Sequence, residues 1–214
     1  CLVSGGLDSC VSAALAFRDY RPAFLHLDYG QLTQKRERRA FSEIADYYRV
    51  PPDLRLVVEV GHLKKIGGSS LIDPDFRRSG EDGVPSTYVP FRNATILAIA
   101  VSWAEVIGAE RIFIGAMEED SSGYPDCREE FFRRFNRLIE AGTRPETGIL
   151  VETPIIHLSK GEVVRRGLEN RAPLHLTWSC YRSPGPAACG ECASCRLRLK
   201  GFRDAGVADP IEYK

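Results

Sequence analysis

No stretch of this sequence approaches the roughly 18 consecutive apolar residues that a membrane-crossing helix needs, so no span is expected. It also lacks an excess of charge of either sign: 29 basic residues balance 29 acidic ones. That removes the broad positive field that holds nucleic acid by charge alone, and no direct nucleic-acid partner is expected. There is no H-x-x-H metal spacing, no internal repeat and no low-complexity tract. The seven cysteines are odd in number and four of them crowd toward the C-terminus, which does not look like a secreted disulfide framework. A reducing, cytoplasmic setting and a metal site fit better. No signal peptide is legible, but the chain begins at Cys1 and its first apolar stub, Cys1-Leu2-Val3, is short, so residues upstream of it are expected.

What is present starts directly after that stub. Ser4-Gly5-Gly6-Leu7-Asp8-Ser9 is followed by a helical pattern of apolar residues (Val11, Ala13, Ala14, Leu15, Phe17). Strand, glycine-rich turn and helix set backbone N–H groups and the positive end of a helix against a phosphate. The glycines let the backbone approach without a Cβ in the way, and the hydroxyls of Ser4 and Ser9 can donate to phosphate oxygens. This is not a Walker A loop, which requires a Gly-Lys-Ser/Thr ending. S-G-G-x-D-S resembles instead the PP-loop of the N-type ATP pyrophosphatases, which activate an oxygen with AMP and release pyrophosphate.

The rest of the chain alternates between the two periodicities. Residues 22–28 and 54–60 read as strands around a helix at 33–48, whose apolar face carries Ala40, Phe41, Ile44, Ala45 and Tyr48. After a long polar loop at 67–91 comes an apolar helix over 93–108, expected to be buried, with Gly108 as its C-cap. A strand at 111–115, a helix over 129–141 and a short strand at 149–153 follow, and Ser159-Lys160-Gly161-Glu162 matches a capping box. Strands alternating with helices imply an α/β fold, a doubly wound parallel sheet with helices on both faces. Ligands bind at the C-terminal ends of such strands. Residues 118–128 follow one of those ends and supply Glu118, Asp120, Tyr124, Asp126 and Arg128.

Cys180, Cys189, Cys192 and Cys195 form C-x8-C-x2-C-x2-C. The last three can aim their sulfurs at one point from a knuckle and a helix turn, with Cys180 completing a tetrahedron. Four thiolates suit Zn²⁺ and leave no open position for catalysis, so a structural role is expected. The iron–sulfur alternative lacks its C-x3-C-P continuation. Arg196, Arg198 and Lys200 are available to offset the negative charge of a Zn(Cys)4 unit. The expected organisation is therefore an ATP-binding α/β domain over 1–175 with a zinc-binding segment over 176–214 packed on it, since about 40 residues are too few for a core of their own.

Taken together, several strings resemble one family, the 7-cyano-7-deazaguanine synthases of queuosine and archaeosine biosynthesis. They are the PP-loop, Tyr29-Gly30-Gln31, Val89-Pro90-Phe91-Arg92-Asn93, Tyr124-Pro125-Asp126-Cys127-Arg128, Leu158-Ser159-Lys160, Thr177-Trp178-Ser179-Cys180-Tyr181 and the cysteine knuckle. The resemblance runs from the first residues to Asp209-Pro210-Ile211. It implies an ATP-dependent ligase that turns 7-carboxy-7-deazaguanine and ammonia into the nitrile through adenylated acid and amide intermediates. It also implies ATP, Mg²⁺ and Zn²⁺ as cofactors. Ser4, Gly5, Gly6, Leu7, Asp8 and Ser9 would cradle the phosphates, with Asp8 near Mg²⁺. Lys160 and Arg92 would join Asp8 and Ser9 in catalysis, and His26, at the end of a strand, would be core or lie near the adenine. Arg92, Asn93, Tyr124, Asp126 and Arg128 would meet the substrate, with Asp126 preferred over Asp120 or Glu118 as reader of the guanine-like edge. Cys127 reads as a small buried residue, because adenylation followed by ammonia needs no covalent thiol. Rival readings are a PP-loop tRNA-thiolation enzyme and a non-catalytic nucleotide-sensing zinc protein. A homodimer is expected, with the zinc segment and the arginine-rich helix near 33–39 as contact surfaces.

Overall fold

The structure is a computed structural model and describes residues 1–77, 83–118, 123–183 and 185–214. Asp120, one of the candidate edge readers, lies outside the described residues.

Two parallel strand pairs form the sheet. β1 (Phe24–Asp28) pairs with β2 (Arg55–Glu59) in the register Phe24–Arg55 to Asp28–Glu59. β3 (Arg111–Phe113) pairs with β4 (Leu150–Glu152). The stub at residues 1–3 joins the pairs: Leu2 bridges Leu25 in parallel, Val3 N–H donates to Leu25 O at 2.9 Å, and Leu2 N–H donates to Phe113 O at 2.9 Å. The spatial order is thus β2, β1, residues 1–3, β3, β4. The chain leaves the stub toward β1 and β2, then crosses to the other side for β3 and β4. The crevice between the ends of the stub and β3 is the topological switch point, where open α/β sheets take their ligands.

Side chains alternate across the sheet as the pleat requires. Leu2, Leu25 and Leu27 face a core with α4 (Arg92–Ile107) and α5 (Glu129–Gly142), built from Leu97, Ala100, Phe132 and Ile139. Val3 and Phe24 face the opposite core, with Cys10 and Ala13 of α1 (Leu7–Ala16) and Phe41, Ile44 and Ala45 of α2 (Gln34–Tyr47). A short helix, α3 (His62–Ile66), follows β2. A third cluster joins α1 to α6 (Lys160–Glu169) and α7 (Ala193–Asp204) through Leu7, Val11, Val163, Val164 and Phe202. The doubly wound α/β arrangement read from the sequence is what the chain adopts.

α4 departs from expectation. It buries only Asn93, Ala94, Leu97, Ala100 and Ala104, and Val106 is 82 % exposed. Ile96, Ile99, Val101 and Trp103 are only partly buried against the core around Leu97 and Ala100, because one face of a helix is all that a sheet covers. Gly108 ends the helix in the left-handed region at φ 67°, as its C-cap role predicts. The Ser159 capping box is also present: Glu162 N–H donates to the Ser159 hydroxyl, and Ser159 N–H donates to Glu162 Oε2 at 2.8 Å.

Residues 176–214 carry a small cluster of their own, Trp178, Cys180, Ala188, Cys192 and Cys195, closed by Ala40 of α2. They pack on the α/β body at several further points. Trp178 N–H donates to Gly5 O at 2.8 Å, and α7 lies against α6 so closely that Cβ atoms at Gly161 and Gly201 would strike Asp204 and Lys160.

Candidate active site

The PP-loop is shaped by two close approaches. Gly5 adopts φ 87°, and a Cβ there would stand 2.6 Å from Glu37 O. Gly115, just past β3, lies against the first turn of α1, where a Cβ would meet Asp8 and Ser9 backbone atoms at 2.6–2.7 Å. Only glycine fits either position. Within the loop, the Ser4 and Ser9 hydroxyls lie 3.1 Å apart, Ser9 donates to Gly6 O at 3.0 Å, and Gly6 N–H donates to Ser4 Oγ. Gly6 is the N-cap of α1 and makes no side-chain cap hydrogen bond. The first-turn N–H groups therefore open onto a cavity with the positive end of the helix behind them, a ready anion site.

That cavity measures about 290 Å³ and sits at the switch point. The loop residues Ser4, Gly6, Leu7, Asp8 and Ser9 form its floor, and the strand ends contribute Val3, Leu27 and Ile114. Arg92, Asn93, Tyr124 and Cys127 form one wall, and Trp178 to Tyr181 with Ser194 form another. The zinc-ligand candidate Cys180 therefore lies in the wall of the same cavity.

Lys160, the first residue of α6, reaches Asp8 from behind the floor: Nζ lies 2.8 Å from Oδ1 and 3.0 Å from Oδ2, with Met117 Sδ at 3.2 Å. The lysine is buried and Asp8 is one-third exposed. Arg92 begins α4. The residue before it, Phe91, is held in the left-handed region at φ 56° with its N–H donating to Tyr88 Oη. This turn aims the guanidinium at the cavity, where Nη1 donates to Tyr29 Oη at 3.1 Å. Burial works to lower the pKa of Arg92, but Tyr29, Asp126, Tyr124 and Tyr181 around it outweigh that and raise it. Burial also pushes the Tyr29 hydroxyl up to about 12, against the pull of Arg92, so it stays a phenol at neutral pH. Tyr124 is half-buried and shares its hydroxyl with Thr87, which folds the long loop back onto the cavity.

Three expected site residues lie elsewhere. Asp126 is buried and does not line the cavity. Its Oδ2 accepts the Asn93 N–H at 2.9 Å, so it caps the start of α4. Burial raises its pKa against that hydrogen bond. Asn93 Nδ2 donates to Asp126 O and to Cys127 Sγ. Arg128 is exposed at the N-cap of α5. His26 lies behind the loop, 1 % exposed, with Nδ1 against Val3 O at 2.9 Å, Nε2 3.2 Å from Asp28 Oδ1 and its ring stacked on Phe41. It pins the short first strand from the face opposite the cavity. Glu118, the other alternative, is exposed. Glu37 and Tyr181 line the cavity and were not singled out from sequence. Tyr29 was visible only as part of a family string.

The four cysteines converge. Their sulfurs all lie within 4.8 Å of one another, and Cys189 Sγ is 3.9 Å from Cys195 Sγ. A tetrahedral Zn²⁺ with bonds of about 2.3 Å sets its sulfurs about 3.8 Å apart, so the set fits a closed metal site. Ser183, Arg182 and Cys189 N–H groups point at Cys180 Sγ, and Cys192 N–H points at Cys189 Sγ. Partial burial raises the Cys189 thiol, but the N–H groups of Cys192 and Glu191 outweigh it and bring the pKa down to about 6. Two of the three flanking cations have carboxylate partners of their own. Arg198 is buried in a pair with Asp209, and Lys200 is paired with Asp204.

An uncapped S-G-G-x-D-S turn at the switch point of a parallel sheet, with a lysine brought to its aspartate, defines a PP-loop α/β protein, here carrying a C-terminal four-cysteine centre that can hold a metal ion. The model of the family described as "Queuosine biosynthesis protein QueC" matches residues 1–206, and the chain belongs to that family. It is 54 % identical over 218 aligned positions to the 7-cyano-7-deazaguanine synthase of Chlorobium luteolum. It is 52 % identical to that of Chlorobaculum parvum and 53 % identical to that of Chlorobium phaeobacteroides. Each comparison covers 100 % of this chain and 95 % of the relative. No helix among the described residues is long and apolar enough to cross a membrane.

Proposed function

We propose that this protein is an ATP-dependent ligase that converts 7-carboxy-7-deazaguanine and ammonia to 7-cyano-7-deazaguanine. The observation that carries this reading is one cavity lined by an uncapped helix N-terminus, Asp8 with Lys160 paired to it from behind, and Arg92. A carboxylate on an electron-rich ring is a poor electrophile. Its oxygen attacks the α-phosphorus of ATP and pyrophosphate leaves. Ammonia then displaces AMP to give the amide. In a second round the amide oxygen is adenylated, and loss of AMP with the amide protons leaves the nitrile. Two ATP are consumed per nitrile, yielding two AMP and two pyrophosphate.

In this scheme the α1 N–H groups and the Ser4 and Ser9 hydroxyls hold the departing pyrophosphate. Lys160 stands ready to supply positive charge as that group separates. Arg92 holds the acid's carboxylate, a pairing its forked donors suit. Tyr124 and Tyr181 border the base. Bound Mg²⁺ would supply charge neutralisation at the phosphates, with Asp8 as its carboxylate. Zn²⁺ at Cys180, Cys189, Cys192 and Cys195 would hold the wall from Trp178 to Tyr181 in place. We further propose that the ATP-binding unit is 1–175 with the 176–214 segment as part of its site, that the protein acts in the reducing cytoplasm on small molecules without binding nucleic acid, and that it is a homodimer. Arg36 does not support the proposed arginine contact surface, because it lies over the Trp178 ring at 4.4 Å within its own chain.

The test is to incubate the protein with Mg·ATP, ammonium and 7-carboxy-7-deazaguanine and to read base and nucleotide by mass spectrometry. The expected result is the nitrile with AMP accumulating at two per nitrile. An unchanged base with ATP bound but unspent overturns the reading.

A further inference from the structure

Asp8 and Glu37 are the acidic residues that line the cavity among the described residues. Asp8 is engaged by Lys160. Glu37, in the first turn of α2, is given no task by the proposed chemistry, yet its carboxylate is held with care. The buried Gln31 accepts Tyr29 N–H through Oε1 at 2.9 Å, which leaves its amide nitrogen to donate to Glu37 Oε2 at 3.0 Å. The Thr33 hydroxyl donates to Oε1. Each carboxylate oxygen thus has one fixed donor and a free lone pair. The arrangement is a rigid double acceptor facing the cavity, and it suits a ligand with two neighbouring donors.

Two groups in the proposed reaction offer such a pair: the N–H edge of the deazaguanine and the 2′,3′-diol of the ATP ribose. The position of Glu37 decides between them. Its backbone carbonyl packs directly on the PP-loop, 2.6 Å from where a Gly5 Cβ would stand. The reacting carboxylate of the base must meet the α-phosphorus beside that loop, which puts the base's N–H edge at the far end of the molecule. The ribose is joined to the α-phosphate by a single ester link and cannot leave the loop's neighbourhood. We infer that Glu37 receives the ribose 2′- and 3′-hydroxyls of ATP and makes the site selective for ribonucleotides. A carboxylate beside a phosphate-binding turn serves the same chemistry in dinucleotide-binding folds. The inference deepens the proposed function by assigning the nucleoside end of its ATP site.

The experiment is calorimetric titration of the intact, metal-loaded protein with Mg·ATP, Mg·2′-deoxy-ATP and Mg·3′-deoxy-ATP, for wild type and for Glu37→Gln. Hydrogen bonds to a charged group contribute about 1.5–3 kcal/mol, so wild type should bind each deoxynucleotide roughly 10- to 100-fold more weakly than ATP. In Glu37→Gln the preference should collapse to within about threefold, with ATP weakened to the deoxynucleotide level. Wild type binding the three nucleotides equally overturns the assignment without recourse to any variant. So does a folded Glu37→Gln protein that keeps the preference, and so does a variant whose only change is a raised KM for the acid. Binding is read without the acid, so loss of ribose preference in an enzyme that leaves the acid unchanged would uphold Glu37 and sink the ligase reading. Nitrile formation with the preference intact would do the reverse.

Discussion

Lys160 Nζ holds both oxygens of the Asp8 carboxylate, at 2.8 and 3.0 Å, across 152 residues of sequence. The pair closes the floor of the cavity and joins the first helix of the fold to α6. Because Lys160 is buried and Asp8 opens toward the ligand space, the lysine can shift from aspartate to phosphate as charge develops. Lys160→Ala should reduce AMP formation by about 10²–10³-fold, the effect of removing one preorganised donor. It should leave the KM for the acid nearly unchanged. Steady-state kinetics on both substrates checks this, and an unaltered kcat would remove Lys160 from the chemistry.

The same lysine depends on a glycine in the metal-binding segment. A Cβ at Gly201 would overlap the Lys160 side chain. Gly201→Ala should therefore destabilise by about 1–3 kcal/mol, as overpacking does, and lower kcat by displacing Nζ. Gly142 in α5 is the control: nothing lies within 4 Å of its missing Cβ, so Gly142→Ala should be neutral or slightly stabilising with full activity. Urea denaturation beside activity measurements separates the two outcomes.

Much of this site was legible because its residues occur in strings with a local mechanism. The PP-loop, the capping box and the knuckle each carry their geometry within about ten residues. Asp126 and Arg128 lie off the cavity because type and neighbourhood do not fix direction, and of the two places open to His26, core or adenine, the structure gives the core. Asp126 follows the correct strand end, but its carboxylate turns under α4 to satisfy the Asn93 N–H. His26 alternates to the far face of β1, as a two-residue period requires of a neighbour of Leu25 and Leu27. Glu37 was hidden among the charges of α2, and only the fold brings its backbone against Gly5.

The four thiolates should hold one zinc per chain, measurable by metal analysis, with no visible absorption of the kind an iron–sulfur cluster gives. Cys192→Ser or a strong chelator should lower the melting temperature and raise hydrogen exchange over residues 177–181. ATP affinity should fall with it, because Trp178 N–H then no longer braces Gly5 O. Intact nucleotide binding after complete metal loss would mean that the wall stands without its metal.

Glu162 gives a pH signature. The Ser159 hydroxyl and then the Ser159 N–H hold its carboxylate below the usual range. A folded pKa below the unfolded value contributes stability that is present above about 4.3 and lost as pH falls through the folded pKa. Glu162→Gln should melt lower than wild type at pH 7, and the two curves should converge on acidification toward pH 3. Curves that stay parallel would show that charge at the box is irrelevant.

Arg198 ties together the wall opposite Arg92. It is 2 % exposed. Its Nε and Nη2 donate to Asp209 at 2.7 and 2.9 Å. Nη1 donates to Thr177 Oγ1 at 2.7 Å, and Nη2 also reaches Leu174 O at 3.2 Å. A lysine can supply the charge but not the fork, so Thr177 Oγ1 would lose its donor inside the protein, while Leu174 O would keep the Thr177 hydroxyl at 2.7 Å. Arg198→Lys should therefore cost about 1–3 kcal/mol, the penalty of one buried acceptor left unsatisfied. Since Thr177 leads directly into Trp178, Ser179 and Cys180, it should also loosen the cavity wall and weaken ATP binding. Arg198→Met alone strands the Asp209 carboxylate and should cost about 3 kcal/mol or more, and adding Asp209→Leu should recover part of that, because no buried ion is then left alone. A double variant no more stable than Arg198→Met would locate the cost in the lost hydrogen bond to Thr177 rather than in the uncompensated carboxylate.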